Sequence, residues 1–236
     1  MQHARGLVFA CLAGAALLTL AGCGAKGQQG PDAPAASIPG TGDRSGASPS
    51  DPLKGISGGA RGDAKKKGTY PKAVVETSLG SFTIELDPEE APLTVDNFRR
   101  YANNGHYKGT VFHFVHEGYV VLGGGFTEDL REKPTYTEIS NEAGKSKLKN
   151  VRGTVAMHRK AAVANSVAAQ FYVNLANSPQ LDYEGPTDDH YGYCVFGKVI
   201  EGMDVVDKIG KVQVHKKGDF DHLPVSAVTI SSVKVE

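Results

Sequence analysis

From residue 70 onward the chain is a succession of short apolar runs, alternating with polar residues and broken by turn formers. Phe82, Ile84 and Leu86 alternate with Ser81, Thr83 and Glu85, the period-two pattern of a strand with one buried face. Ser78-Leu79-Gly80 supplies a turn back to the apolar run 73–75, so a hairpin opens the domain. Further strands are predicted over 111–115, 119–122, 155–157, 171–175 and 194–200. Near the end Val228 and Ile230 alternate, whereas Val233 and Val235 resume one residue out of phase. The Ser231-Ser232 doublet therefore predicts a β-bulge that restores the facing. Helical spacing is confined to 94–102, with Val95, Phe98 and Tyr101/Ala102 on one face behind a Thr94 cap, and 203–209, with Val205, Val206 and Ile209. About eight strands without intervening helices argue against a parallel α/β sheet and predict a mainly all-β domain, a closed barrel with covered ends.

The residues before 70 have a different texture. Arg5 is the only charged side chain in the first 25 residues, and the apolar run 6–20 follows it. That run is shorter than the roughly 20 residues a membrane-spanning helix needs, and it leads into Leu20-Ala21-Gly22-Cys23, so residues 1–22 read as an export signal. The tetrapeptide resembles a bacterial lipobox, which implies a lipid anchor on Cys23. Between Gly24 and Gly68 stand 11 Gly, 7 Ala, 5 Pro and 5 Ser, with Ile38, Leu53 and Ile56 the only large aliphatics. Such composition cannot offset the entropy of ordering, so 23–69 is expected to be a flexible tether reaching on the order of 35–40 Å. The domain proper is then 70–236. Cys194 would be the only thiol left besides the lipidated one, which excludes an internal disulfide. Its apolar surroundings, Tyr193 and Val195-Phe196, mark it as a small buried hydrophobe.

Charge narrows the chemistry. Lys+Arg 26 balance Asp+Glu 26, so no basic field gathers nucleic acid. Gly123-Gly124-Gly125 is followed by Phe126-Thr127-Glu128, without the lysine and hydroxyl of a phosphate-binding loop. His113 and His116 are three apart in an extended segment and point to opposite faces, which argues against a shared metal ion. No Gly-x-Ser-x-Gly nucleophile turn is present from residue 70 onward.

A series of ordered local patterns does carry information. They run through Ala91-Pro92-Leu93-Thr94-Val95-Asp96-Asn97-Phe98, Phe112-His113, Gly123-Gly124-Gly125-Phe126-Thr127, Arg152-Gly153-Thr154-Val155-Ala156-Met157, Gln170-Phe171-Tyr172-Val173-Asn174, Leu181-Asp182 and Tyr193-Cys194-Val195-Phe196-Gly197-Lys198-Val199. In order and spacing this series resembles the cyclophilins, prolyl isomerases built on a closed eight-stranded antiparallel β-barrel capped by two α-helices. The resemblance implies proline-containing polypeptide segments as partners, with no cofactor and no metal; a monomer is expected, membrane-bound only through Cys23. The implied reaction is rotation about the bond preceding proline, which needs an apolar slot for the ring, anchors for the backbone, and a donor that favours the twisted amide. Members of the family supply that donor from an arginine, the third residue of Phe-His-Arg.

Here the third residue is Phe114. The neighbouring family pattern Phe-Met-x-Gln reads Tyr119-Val120-Val121-Leu122, a histidine, His158, follows Ala156-Met157 where a small residue is usual, and Gln180 stands where an aromatic is usual. The resemblance places the substrate against His113, Phe114, Tyr119, Val120, Leu122, Gln170, Tyr172, Leu181 and Tyr193, with Gln170 and His158 as the catalytic candidates. His158 or Arg159 could replace the lost donor; the plainer alternative is a rim histidine facing water. Tyr119 and Tyr172 are either functional or wall residues with wet hydroxyls. Two functions follow: a slow prolyl isomerase assisting exported proteins, or a non-catalytic module that holds proline peptides in the same slot.

Overall fold

The structure is a computed structural model and describes residues 70–236; the expected export signal, Cys23 and the tether lie outside the described residues. The opening hairpin forms as predicted, β1 (Lys72–Thr77) and β2 (Gly80–Leu86), with Thr77 paired to Gly80 across the turn. There follow α1 (Pro92–Asn103), β3 (Thr110–His116), β4 (Val120–Thr127), β5 (Thr154–Met157), β6 (Phe171–Asn174), β7 (Val195–Glu201), α2 (Met203–Gly210), β8 (Val214–Lys217), β9 (Phe220–Pro224) and β10 (Thr229–Val235). Eight strands close into a barrel in the order β1-β10-β3-β4-β6-β5-β7-β2, with every neighbouring pair antiparallel. Closure leaves no free edge along this sheet.

The barrel interior is one apolar cluster. Phe82, Ile84, Phe112, Val115, Val121, Phe171, Val173 and Phe196 enter it from the strands, Val95, Phe98 and Tyr101 from α1, and Val205, Val206 and Ile209 from α2. The predicted bulge in β10 is present. Ser232 pairs with Glu76 and Ile230 with Thr77, so Ser231 is the extra residue, and its hydroxyl donates to the Glu76 carbonyl at 3.1 Å. Ile230 and Val233 consequently both reach the core although they are three positions apart, an odd spacing that a regular strand would send to opposite faces.

Three expectations need correction. Thr94 is not the cap of α1: the helix begins at Pro92 after Ala91, because proline suits the first helical position. Capping comes instead from Glu142, whose carboxylate accepts the backbone N–H of Leu93 at 3.2 Å and of Thr94 at 2.8 Å, and the Thr94 hydroxyl at 2.8 Å. Second, β4 continues past Leu122 through the glycine run. A side chain at Gly123 would come within 2.9 Å of Phe112, and one at Gly125 within 2.5 Å of the Gln170 side chain; Gly124 has a φ of +87°. The run exists for close packing of backbone on side chains. Third, β8 and β9 form a separate hairpin that the apolar pattern did not announce. Its first strand is exposed throughout, leaving only the Gly218-Asp219 turn as a signal, with Gly218 at φ +57° and Lys217 paired to Phe220. This hairpin lies against β3.

Candidate active site

Adjacent strands β3, β4, β6 and β5 present their alternate residues outward. Val121, Phe171, Val173, Val155 and Met157 face the interior, whereas Val120, Leu122, Tyr172 and Ala156 form a second apolar cluster on the outer wall together with Leu181, Tyr193 and Val195. Phe114, Tyr119 and Leu148 pack against it. Phe114 is the ladder partner of Leu122, so the two side chains are neighbours on this face. The tertiary structure thus brings together seven of the residues singled out for substrate binding: Phe114, Tyr119, Val120, Leu122, Tyr172, Leu181 and Tyr193.

The floor of this surface is closed to water. Val120, Leu122, Tyr172, Leu181 and Tyr193 are all at most 9% exposed, while Phe114 and Tyr119 above them are half-buried. The open slot expected from the resemblance is therefore roofed in part by the phenyl ring at position 114. Burial pushes the Tyr119 hydroxyl up to about 12, with Gln180 acting in the opposite direction, and it also raises that of Tyr172 well above the ordinary tyrosine range. Tyr172 does not have a wet hydroxyl: it donates to Asn150 Oδ1 at 2.8 Å. Asn150 ties the floor together, since its Nδ2 also donates to the carbonyls of Leu181 at 3.1 Å and Tyr193 at 3.3 Å.

At the far end stand His113, His158, Arg159 and Gln170. His158 is buried and not a rim residue: it is 9% exposed and stacked on Tyr193 with centroids 6.2 Å apart. Arg159 is unsuited to replace the missing donor. Its Nε donates to the Gly192 carbonyl at 2.9 Å, Nη2 to Asp188 at 2.8 Å and Nη1 to Lys160 at 3.2 Å, with the guanidinium lying over Tyr193. The charge is spent on fixing the loop before β7. Gln170 is half-buried against Gly125, and its Oε1 has no hydrogen-bond partner. His113 is 1% exposed, edge-on to Phe126 at 4.7 Å, with neither ring nitrogen hydrogen-bonded. Cys194 is a buried thiol, as expected, with burial raising it to about 12.

The two buried histidines make the barrel acid-sensitive. Burial, and for His113 the neighbouring His158, lowers His113 to about 3; burial and Arg159 lower His158 to about 4. In the unfolded chain both titrate near 6.5, so the unfolded state takes up protons first. Their contribution to stability is complete above about pH 6.5 and is lost as pH falls toward 4 and then 3, by about 1.4 kcal/mol per pH unit for each histidine. Denaturant unfolding at pH 7, 5.5 and 4.5 should show this loss. His113→Phe, which removes two unpaired buried nitrogens, should lessen it and leave stability at pH 7 equal or higher. An unchanged pH slope in that variant would show that His113 is not the source.

Sequence reasoning missed Asn150, the capping role of Glu142 and the wall formed by β9. Phe220 packs on His113 and Phe126, and His222 on Phe114 and His116. Only the glycine turn at 218 could have drawn attention to that wall.

A closed antiparallel barrel of eight strands, carrying an apolar surface beside Gln170 and His113 on its outer wall, defines a cyclophilin-like protein. The chain belongs to the cyclophilin family: residues 72–235 match the family described as cyclophilin type peptidyl-prolyl cis-trans isomerase/CLD. It is 41% identical over 167 residues to peptidyl-prolyl cis-trans isomerase A of Dickeya dadantii, covering 71% of this chain and 85% of that one. It is 42% identical over 159 residues to peptidyl-prolyl cis-trans isomerase B of Escherichia coli, covering 67% of this chain and 96% of the relative. A cyclophilin type isomerase of Cryptosporidium parvum, solved by crystallography, shares the fold at 23% identity with a TM-score of 0.57, over 71% of this chain and 98% of that chain. The same parasite protein has been solved in the presence of the dipeptide Ala-Pro, with a TM-score of 0.56 to this chain at 22% identity, over 70% of this chain and 98% of that one.

Proposed function

We propose that this protein is a slow prolyl cis-trans isomerase held at the bacterial cell envelope, where it acts on exported polypeptides. The observation that carries the reading is the placement of Phe114, the position of the family's arginine, against a dry apolar cluster on the outer wall of a cyclophilin barrel. Rotation about the prolyl bond has a barrier of about 18–20 kcal/mol and makes or breaks no covalent bond, so an apolar surface that strips water from the amide still accelerates it. What is lost with the guanidinium is a fixed donor, a deficit of roughly 100- to 1000-fold in rate. Gln170 serves as a backbone anchor, and the half-buried rings of Phe114 and Tyr119 are what a prolyl ring meets first.

A second reading has its own support. Phe114 and Tyr119 covering the floor make an aromatic surface suited to holding a proline-containing segment without turning it over. NMR exchange measurements on a short proline peptide, without a coupling protease, separate the two: acceleration of the cis-trans exchange supports the enzyme, and binding without acceleration supports the holder. The envelope location rests on Leu20-Ala21-Gly22-Cys23 and the glycine-rich stretch after it. In the native host Cys23→Ser should abolish labelling by a radioactive fatty acid and release the protein from membranes. Continued fractionation with membranes would overturn the lipid-anchor assignment.

A further inference from the structure

A prolyl amide that twists loses resonance, and its nitrogen regains a lone pair; a donor beside it stabilises that state more than the planar one. Phe114 cannot supply the donor, so the groups around it decide whether another element does. Arg159 has given its guanidinium to three carbonyls. The Tyr172 hydroxyl is given to Asn150. His116, at the end of β3, has its Nδ1 on the carbonyl of Glu117 at 3.2 Å.

His222 is different. It lies on β9, outside the barrel, and the hairpin carries it onto β3. Its ring stands edge-on to Phe114 with centroids 5.0 Å apart and meets His116 at 4.9 Å. It is half-buried, and its ring nitrogens make no hydrogen bond to another described residue. An imidazole always has an N–H to give, as one tautomer when neutral and from both nitrogens when protonated.

Resting on the isomerase reading, we propose that His222 is the catalytic donor of this protein, replacing from a separate hairpin the guanidinium missing at position 114. The two rings are neighbours, 5.0 Å apart, although His222 is 108 residues away in sequence. The groups that face His222 set its protonation. Burial and His116 lower its proton affinity, and Asp221 acts the other way, while Asp221 is itself paired with Lys216 at 2.7 Å. Tyr119 adjoins His116. The imidazole is thus mostly neutral at pH 7 and a weaker donor than its cation. The isomerase rate should accordingly rise as pH falls through its titration.

The test is kcat/KM for a proline peptide between pH 5 and 8, within the range where circular dichroism shows the barrel folded. In the full chain the rate should rise toward acid. His222→Ala should fall by roughly 10- to 100-fold, mostly in kcat, and lose the pH dependence. His222→Gln, which keeps a donor that does not titrate, should retain part of the rate with a flat profile. His116→Gln should keep the acid rise with its midpoint moved upward, since a neighbouring charge is removed. Full rate and an unaltered profile in His222→Ala would overturn the assignment of His222 and leave the isomerase reading standing. No catalysis by the unaltered chain, with catalysis appearing in Phe114→Arg, would overturn both the slow-isomerase reading and the donor role.

Discussion

Phe114→Arg should raise kcat/KM for prolyl isomerisation by roughly 100- to 1000-fold, the effect of restoring one preorganised donor. The geometry favours the exchange. Phe114 is half-buried on the outer wall, so a longer side chain can lie along the floor and keep its charged end wet. Its ladder partner is Leu122, which offers the guanidinium no acceptor, so Phe114→Arg with Leu122→Gln should exceed the single variant. The arginine enters beside His222, and its charge should depress the protonation of His222 further. The acid rise in rate should then flatten in the revertant, because a permanent cation has taken over. A measured rate within twofold of the unaltered chain would mean that the surface no longer holds the prolyl amide in reach of position 114, and the peptide-holding reading would prevail.

The second large effect is expected at a residue remote from the chemistry. Asn150→Ala should cost about 3 kcal/mol or more, lowering the melting temperature by roughly 6–12 °C for a domain of this size. Asn150 is 1% exposed and works on both ends of its amide. The Nδ2 donates to Leu181, Tyr193 and Asp182, and Oδ1 accepts from Tyr172 at 2.8 Å and from Asn174 at 3.2 Å. Truncation leaves the buried Tyr172 hydroxyl and the Tyr193 carbonyl unpaired at once, while the Leu181 carbonyl keeps only the Tyr193 N–H. Asn150→Asp should do no better, because a carboxylate cannot donate to those carbonyls and sets a charge among them. Because the same bonds hold Tyr172, Leu181 and Tyr193 in place, proline-peptide affinity should fall along with stability. Urea unfolding and peptide titration read the two effects separately. A stability loss under about 1 kcal/mol would show that the floor is held by packing alone.

The barrel was legible in the chain because the burial of a strand repeats every second residue, and because an error of register leaves a mark. Ser231-Ser232 is such a mark: two polar residues in a row between Ile230 and Val233 predicted the bulge that the β1–β10 pairing shows opposite Glu76 and Thr77. The outer wall was legible too, since Val120, Leu122, Tyr172 and Ala156 are the complement of the core positions on the same strands. Capping was not. Thr94 has the chemistry of a cap, yet Glu142 takes the task from 48 residues away, and no local pattern announces such a partner.

The amino-acid order by itself determined the closed barrel and the loss of a guanidinium at position 114, because both are written in local alternation and local motif. Only the tertiary structure decided how that loss is met. It committed Arg159 to carbonyls of Gly192, Asp188 and Lys160, buried His158 against Tyr193, drew the floor closed under Phe114, and laid a polar hairpin so that His222 stands beside that ring. Hydrogen bonds and ring contacts between distant segments depend on which faces the closed sheet brings together, and that is a property of the whole chain.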